Sequence, residues 1–203
     1  MIRRVGLLDY GSGNLHSAAR ALSVAGADVT VSSDLAELRT LDGLVVPGVG
    51  AFAACMDSLS RSGGADLIRE WAAAERPLLG ICVGHQVLFD QGHEHGLVTP
   101  GIGLYEGAVV ALEARRLPHM GWNTVDPGDT EILFEGLHGE RFYFVHSYAA
   151  PGPVTAVRAA TAEHEGSRFV AAAQRGTVSS TQFHPEKSGA AGARLIANWL
   201  RGH

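Results

Sequence analysis

Two cysteines occur among 203 residues, and one of them stands between glycines in Gly80-Ile81-Cys82-Val83-Gly84. Gly-x-nucleophile-x-Gly is the form of a nucleophile elbow, in which a strand turns abruptly into a helix and lifts one side chain at the apex. Residues two places to either side must lack a Cβ or the turn clashes. The helix expected after Cys82 would aim its first amides at the sulfur and favour thiolate. The Val83 amide could also help to bind an oxyanion. A buried, inert thiol fits the same pentapeptide, because free cysteines are commonly core residues.

A thiolate doing acyl transfer needs a base, a group that orients the base, and a second oxyanion donor. The segment Ser180-Thr181-Gln182-Phe183-His184-Pro185-Glu186 offers the first two. His184 follows a strand-like run, and Pro185 fixes the chain direction just after it. Glu186 can lie beside the imidazole, fix its tautomer and stabilise the imidazolium. A lone His would be an ordinary surface or core residue, but this cluster directly after a strand is less ordinary. The second donor could come from Pro47-Gly48-Val49-Gly50, whose glycine-flanked peptides reorient at low cost. Taken alone, that stretch is an ordinary tight turn.

In combination and in this order, Pro-Gly-x-Gly, Gly-x-Cys-x-Gly-x-Gln and Phe-His-Pro-Glu resemble the class I (triad) glutamine amidotransferases along essentially the whole chain. The resemblance implies a glutaminase in which Cys82 attacks the side-chain amide of glutamine, His184 shuttles protons and Glu186 orients His184. It implies an oxyanion hole at Val49 and Val83, and a glutamine site formed by Gln86, Gly48, Gly50 and the backbone around His146, Ser147 and Tyr148. No cofactor and no metal are implied.

Within that family, Leu117-Pro118-His119-Met120-Gly121-Trp122-Asn123, the opening Leu7-Leu8-Asp9-Tyr10-Gly11-Ser12-Gly13-Asn14 and Phe142-Tyr143-Phe144-Val145-His146-Ser147-Tyr148 resemble glutaminase subunits of imidazole glycerol phosphate synthase. Those subunits form a heterodimer with a cyclase subunit, a (β/α)8 barrel that binds the phosphorylated substrate and receives the ammonia. Trp122, Asn123 and Lys187 are then expected at the partner interface, Trp being a favoured interface anchor. Two positions depart from the pattern. His85 stands where the family more usually has Met, so the imidazole either perturbs the thiol or points away. Ala149 stands where an aromatic is commoner.

The elements that must position these residues are legible as alternating periodicities. Arg4 to Asp9, Val29 to Val31, Gly43 to Val46 and Leu78 to Ile81 are short apolar runs suited to buried parallel strands. Leu15, Ala18, Ala19, Leu22 and Ala25 recur at helical spacing before Gly26, and Ala65 to Glu75 is helical by composition. From Leu104 onward, Ala108 to Ala111, Phe142 to Val145 and Val178 to Phe183 are strand-like, with no long helix between them. They are expected to extend the same sheet in mixed or antiparallel fashion. Ala190 to Arg201 closes the chain as a helix with Leu195, Ile196, Trp199 and Leu200 on one face. The expectation is an α/β fold: a single domain spanning 1–203, with a mixed, mostly parallel sheet flanked by helices.

With 46% hydrophobic residues, 18% charged residues and a net charge of −5, the chain has the balance of a soluble globular protein. It offers no large basic surface for nucleic acid. Asp9 arrives too early for a signal-peptide core, no run is long enough to span a membrane, and Cys55 and Cys82 are expected as reduced thiols in the cytoplasm. A metal site from Cys82, His85, His93 and His95 is disfavoured by spacing, since residues two apart do not share a helical face. The alternatives are a stand-alone cysteine hydrolase of γ-glutamyl compounds, a glutaminase subunit of another synthase, and a non-catalytic scaffold. The presence of Cys82, His184 and Glu186 together argues against the scaffold.

Overall fold

The computed structural model describes residues 4–128, 130, 133–152, 154 and 157–202. In chain order the first half contains β1 (Arg4–Leu8), α1 (Leu15–Val24), β2 (Asp28–Ser32), α2 (Leu35–Arg39), β3 (Gly43–Gly48), α3 (Phe52–Ser62), α4 (Gly64–Ala73), β4 (Leu78–Cys82) and α5 (Val83–Gln86). The second half contains β5 (Phe89–Glu94), β6 (Leu97–Pro100), β7 (Tyr105–Ala111), β8 (His119–Thr124), β9 (Arg141–His146), β10 (Tyr148–Ala149), β11 (Arg158–His164), β12 (Ser167–Arg175) and β13 (Val178–Thr181). A 3-10 turn (Pro185–Lys187) and α6 (Gly189–Arg201) close the chain.

Seven strands form the main sheet in the order β11-β12-β13-β4-β3-β1-β2. From β13 to β2 every pairing is parallel, and β12 and β11 add an antiparallel edge. All residues of β3 and β4 are buried, which is why both are continuous apolar runs rather than alternating ones. The expected class, a mostly parallel mixed sheet flanked by helices, is the one observed. α1 begins at Asn14, whose side chain accepts the Ser17 amide at 3.4 Å, and Gly26 follows its end at φ 100°. α6 buries Leu195, Ile196, Trp199 and Leu200 as its periodicity predicts. Among the described residues no helix is long and apolar enough to cross a membrane.

Two expectations are corrected. Ala108 to Ala111 and Phe142 to Val145 do not extend the main sheet. The first lies on β7, in a four-stranded sheet ordered β10-β7-β5-β6, and the second lies on β9, in a two-stranded ribbon with β8. Strand character in a sequence does not say which edge a strand joins. The helix expected after Cys82 is present but short. α5 is a single turn, and the chain re-enters an extended course at Phe89, with Val87, Leu88 and Phe89 fully buried.

Candidate active site

β3, β4 and β13 are neighbours in the parallel part of the sheet, with Gly48 opposite Cys82 and Ile81 opposite Thr181. Their C-terminal ends therefore open onto one place. Ligands of open α/β sheets characteristically bind at that edge.

Cys82 sits at the apex of the elbow with φ 58° and ψ −113°, a conformation a non-glycine residue holds only when its surroundings impose it. Its neighbours explain the glycines. A Cβ on Gly84 would lie 1.9 Å from the Val46 carbonyl oxygen, and one on Gly80 would lie 2.5 Å from that of Gly84. The elbow is packed directly against β3, so no side chain fits at either position.

His184 lies just beyond β13, its amide bonded to the Tyr143 carbonyl at 2.9 Å. Its ring Nδ1 stands 2.7 Å from Glu186 Oε1, and both side chains are 3% exposed. Ser188 fixes this corner by donating to the His184 carbonyl at 2.7 Å and accepting the Tyr143 amide at 3.0 Å. Burial pushes the imidazole pKa down, but hydrogen bonds and charge from Cys82 and Glu186 outweigh it and raise the group to about 9. The ring thus lies between the sulfur and a carboxylate, a setting that favours its protonated form.

The Pro47-Gly48-Val49-Gly50 turn borders the same space. A Cβ on Gly48 would lie 2.6 Å from the Gly84 nitrogen, so turn and elbow touch backbone to backbone. The Val49 amide donates to the Ser12 hydroxyl at 3.4 Å, and the Val49 carbonyl accepts from Ser12 at 2.9 Å and from the Cys55 thiol at 3.4 Å. Cys55, at 1% exposure, belongs to the packing under this turn.

A cleft of about 250 Å³ is lined by Cys82, His184, Val49, Gly50, Val83, Gln86, Ser147, Tyr148, Lys187 and Glu94, among others. Sequence-predicted groups from four separate segments thus share one cavity. Gln86 is fixed by donating to the Tyr148 carbonyl at 2.8 Å and to Gln182 at 3.0 Å. Glu94 escaped sequence reasoning. It is buried in the cleft wall, and its Oε2 accepts the Phe52 amide at the start of α3 at 2.8 Å. No strand was expected here, so nothing local in the sequence marked this carboxylate at the end of β5 as buried.

Not every predicted residue faces the cleft. Trp122 is 47% exposed, beside the 62% exposed Met120, and lies edge-on to Tyr143 with ring centres 6.1 Å apart. The Lys187 ammonium lies 6.0 Å over the other ring of that pair. Asn123, the next residue, is turned by strand alternation to the opposite face, where its amide meets His119 at 3.3 Å and the Glu163 carbonyl at 2.9 Å. His85 points away from the sulfur. It is fully buried, with Nδ1 2.7 Å from the Ser180 hydroxyl, and burial holds its pKa down to about 3. Among the described residues no group of three His, Cys, Asp or Glu side chains is arranged to hold a metal ion.

The profile of the glutamine amidotransferase class-I family matches residues 6–202. The chain is 55% identical to the imidazole glycerol phosphate synthase subunit HisH of Cutibacterium acnes, over 97% of this chain and 96% of that protein. It is 54% identical to the HisH subunit of Leifsonia xyli subsp. xyli, over 98% and 99% of the two chains. Among solved structures, PurLQS from Thermotoga maritima superposes with a TM-score of 0.78 at 18% identity, over 100% of this chain and 99% of that one. A glutamine amidotransferase superposes with a TM-score of 0.76 at 20% identity, covering 98% and 99%. The chain belongs to the class I glutamine amidotransferases, enzymes that hydrolyse glutamine. Within them it is one of the HisH subunits of imidazole glycerol phosphate synthase.

Proposed function

We propose that residues 1–203 form one glutaminase domain that works in the cytoplasm, in a heterodimer with a cyclase subunit built as a (β/α)8 barrel. The observation that carries this reading is the convergence of Cys82, His184 and Gln86 on one cleft, with Glu186 bonded to His184 from behind. An imidazolium beside the sulfur favours the thiolate. The thiolate adds to the side-chain carbonyl carbon of glutamine, and the oxyanion is met by the amides of Val83 and, once rotated inward, Val49. His184 protonates the amide nitrogen, the C–N bond breaks, and ammonia leaves a glutamyl thioester on Cys82. Water, deprotonated by His184, attacks the thioester and releases glutamate. Glu186 accepts the Nδ1 proton bond throughout, which keeps the tautomer and orientation of the ring.

Gly48, Gly50, Ser147 and Tyr148 shape the glutamine site, and Glu94 supplies a carboxylate for the α-ammonium group of the substrate. Ammonia then passes to the partner without meeting bulk water, where it would be protonated. There it converts phosphoribulosyl formimino aminoimidazole carboxamide ribonucleotide into imidazole glycerol phosphate and aminoimidazole carboxamide ribonucleotide. Trp122 and Lys187 belong to the partner-facing side, whereas Asn123, expected there too, lies on the opposite face of β8 and supports His119 instead. The test compares glutamate release by the chain alone, with the cyclase subunit, and with that subunit plus its substrate. Release that rises across the three supports the reading. Equal release in all three favours a stand-alone hydrolase.

A further inference from the structure

His119 and His146 face each other across the β8–β9 ribbon as direct register partners. They are 5% and 7% exposed, and His119 Nδ1 lies 3.0 Å from His146 Nε2. Two imidazoles in contact can share a proton in either direction, but here their other partners leave one direction. His146 Nδ1 is 3.0 Å from the Tyr148 carbonyl oxygen, which can only accept, so Nδ1 carries the hydrogen. Burial holds both rings neutral, near 3 for His146 and near 4 for His119. His146 Nε2 is therefore a bare acceptor, and His119 Nδ1 must donate to it.

His119 Nε2 is then bare as well, and it accepts from Asn123 Nδ2 at 3.3 Å. The orientation of that amide is fixed independently. Its nitrogen donates to the Glu163 carbonyl at 2.9 Å, and its oxygen accepts the Thr124 amide at 2.9 Å. The His119 ring cannot turn to escape, because it is stacked between Phe144 and His164, at 4.9 Å and 4.3 Å between ring centres. The other end of the series reaches the cleft. The Tyr148 carbonyl accepts from His146 and also from Gln86 at 2.8 Å, and both His146 and Gln86 line the cavity that holds Cys82.

We infer that His119 is a positioning residue of the glutamine cleft. A one-way series of hydrogen bonds, Asn123 to His119 to His146 to the Tyr148 carbonyl, sets the wall on which Gln86 is anchored. His119 touches no substrate. It acts by fixing which nitrogen of His146 is bare and where that ring stands, and it rests on the reading of the cleft as a glutamine site. Without His119 the buried acceptor His146 Nε2 loses its donor, which costs enough to shift the local arrangement, and the shift falls on the substrate wall rather than on Cys82 and His184.

The test uses the full chain with its synthase partner subunit and steady-state glutamate release. His119→Phe keeps the stacked ring and removes both polar atoms, so KM for glutamine rises about tenfold while kcat changes by less than about twofold. His119→Asn places an amide N–H where Nδ1 stood and restores KM toward that of the native chain. An unchanged KM in His119→Phe, a loss confined to kcat, or no rescue by Asn overturns the inference. Ring ¹⁵N spectra of the unsubstituted chain at neutral pH decide the same point without activity and without a variant that must fold. Both His119 and His146 are expected neutral with hydrogen on Nδ1, and hydrogen on Nε2 of either ring refutes the series. If the native chain releases no glutamate while the spectra show the expected tautomers, the reading of the cleft fails and the series stands.

Discussion

The Val49 amide lies 3.4 Å from the Ser12 hydroxyl, and the same hydroxyl donates to the Val49 carbonyl at 2.9 Å. One small side chain thus holds both polar ends of Val49, the residue whose N–H, in the proposed mechanism, turns toward Cys82 to meet the oxyanion. A missing oxyanion donor costs about 10²–10³ in rate. Ser12→Ala frees the Val49 amide and leaves only the Cys55 thiol on its carbonyl, so glutamate release by the chain without its partner is expected to rise by about tenfold. Release unchanged or lowered would show that Ser12 does not restrain the turn.

Cys82→Ala is expected to abolish glutamine-dependent synthesis by the complex and leave ammonia-dependent synthesis intact, since in the proposed mechanism the sulfur serves only ammonia production. Parallel assays with the two nitrogen sources check this. Loss of both activities would count against the division of labour.

Glu186→Gln should be milder than His184→Ala, because a carboxylate tunes the base whereas the imidazole moves the protons. The stability profile carries a second signature. His184 is raised in the folded chain from its ordinary 6.5 to about 9. Its contribution to stability is complete below the unfolded value and disappears as pH rises through the folded one, because the native state holds the extra proton across that window. Denaturation midpoints should therefore fall between about pH 6.5 and 9, and the fall should flatten in Glu186→Gln.

Gly84→Ala should be among the most damaging single-methyl changes. The added Cβ meets the Val46 carbonyl at 1.9 Å, and neither backbone can withdraw without moving the elbow or β3. A loss of about 3 kcal/mol or outright failure to fold is expected, measured by chemical denaturation.

His85→Met should by contrast be tolerated. His85 Nε2 is buried without a hydrogen-bond partner among the described residues, and Ser180 keeps the Tyr105 hydroxyl at 3.3 Å when the imidazole is gone. The change should move stability by less than about 1 kcal/mol. A large loss would mean that the His85–Ser180 bond holds the elbow in place.

The parallel core and the elbow were legible because β1, β3 and β4 are buried on both sides and so carry uninterrupted apolar runs, with Gly80 and Gly84 marking the turn. The antiparallel edge was not. Ala159, Ala160 and Ala162 lie on β11 and Ala171, Ala172 and Ala173 on β12, and alanine favours helix. Only pairing and burial against neighbours make these strands. In the site, Cys82, His184 and Glu186 announce themselves through local context. Glu94 does not, because its place in the cleft depends on β5 being folded back onto α3. The His119 series is equally silent in one dimension, since it needs β8, β9 and β11 assembled before the rings meet.

The β8–β9 ribbon carries Met120 and Trp122 on one side and His119 and Asn123 on the other. Odd and even positions of a single short segment therefore belong to different jobs. Inserting or deleting one residue would exchange the two sides at a stroke, sending the indole into the aromatic interior and the imidazole into water. Point changes can adjust either side separately, but the length of this segment is free to vary only in steps of two.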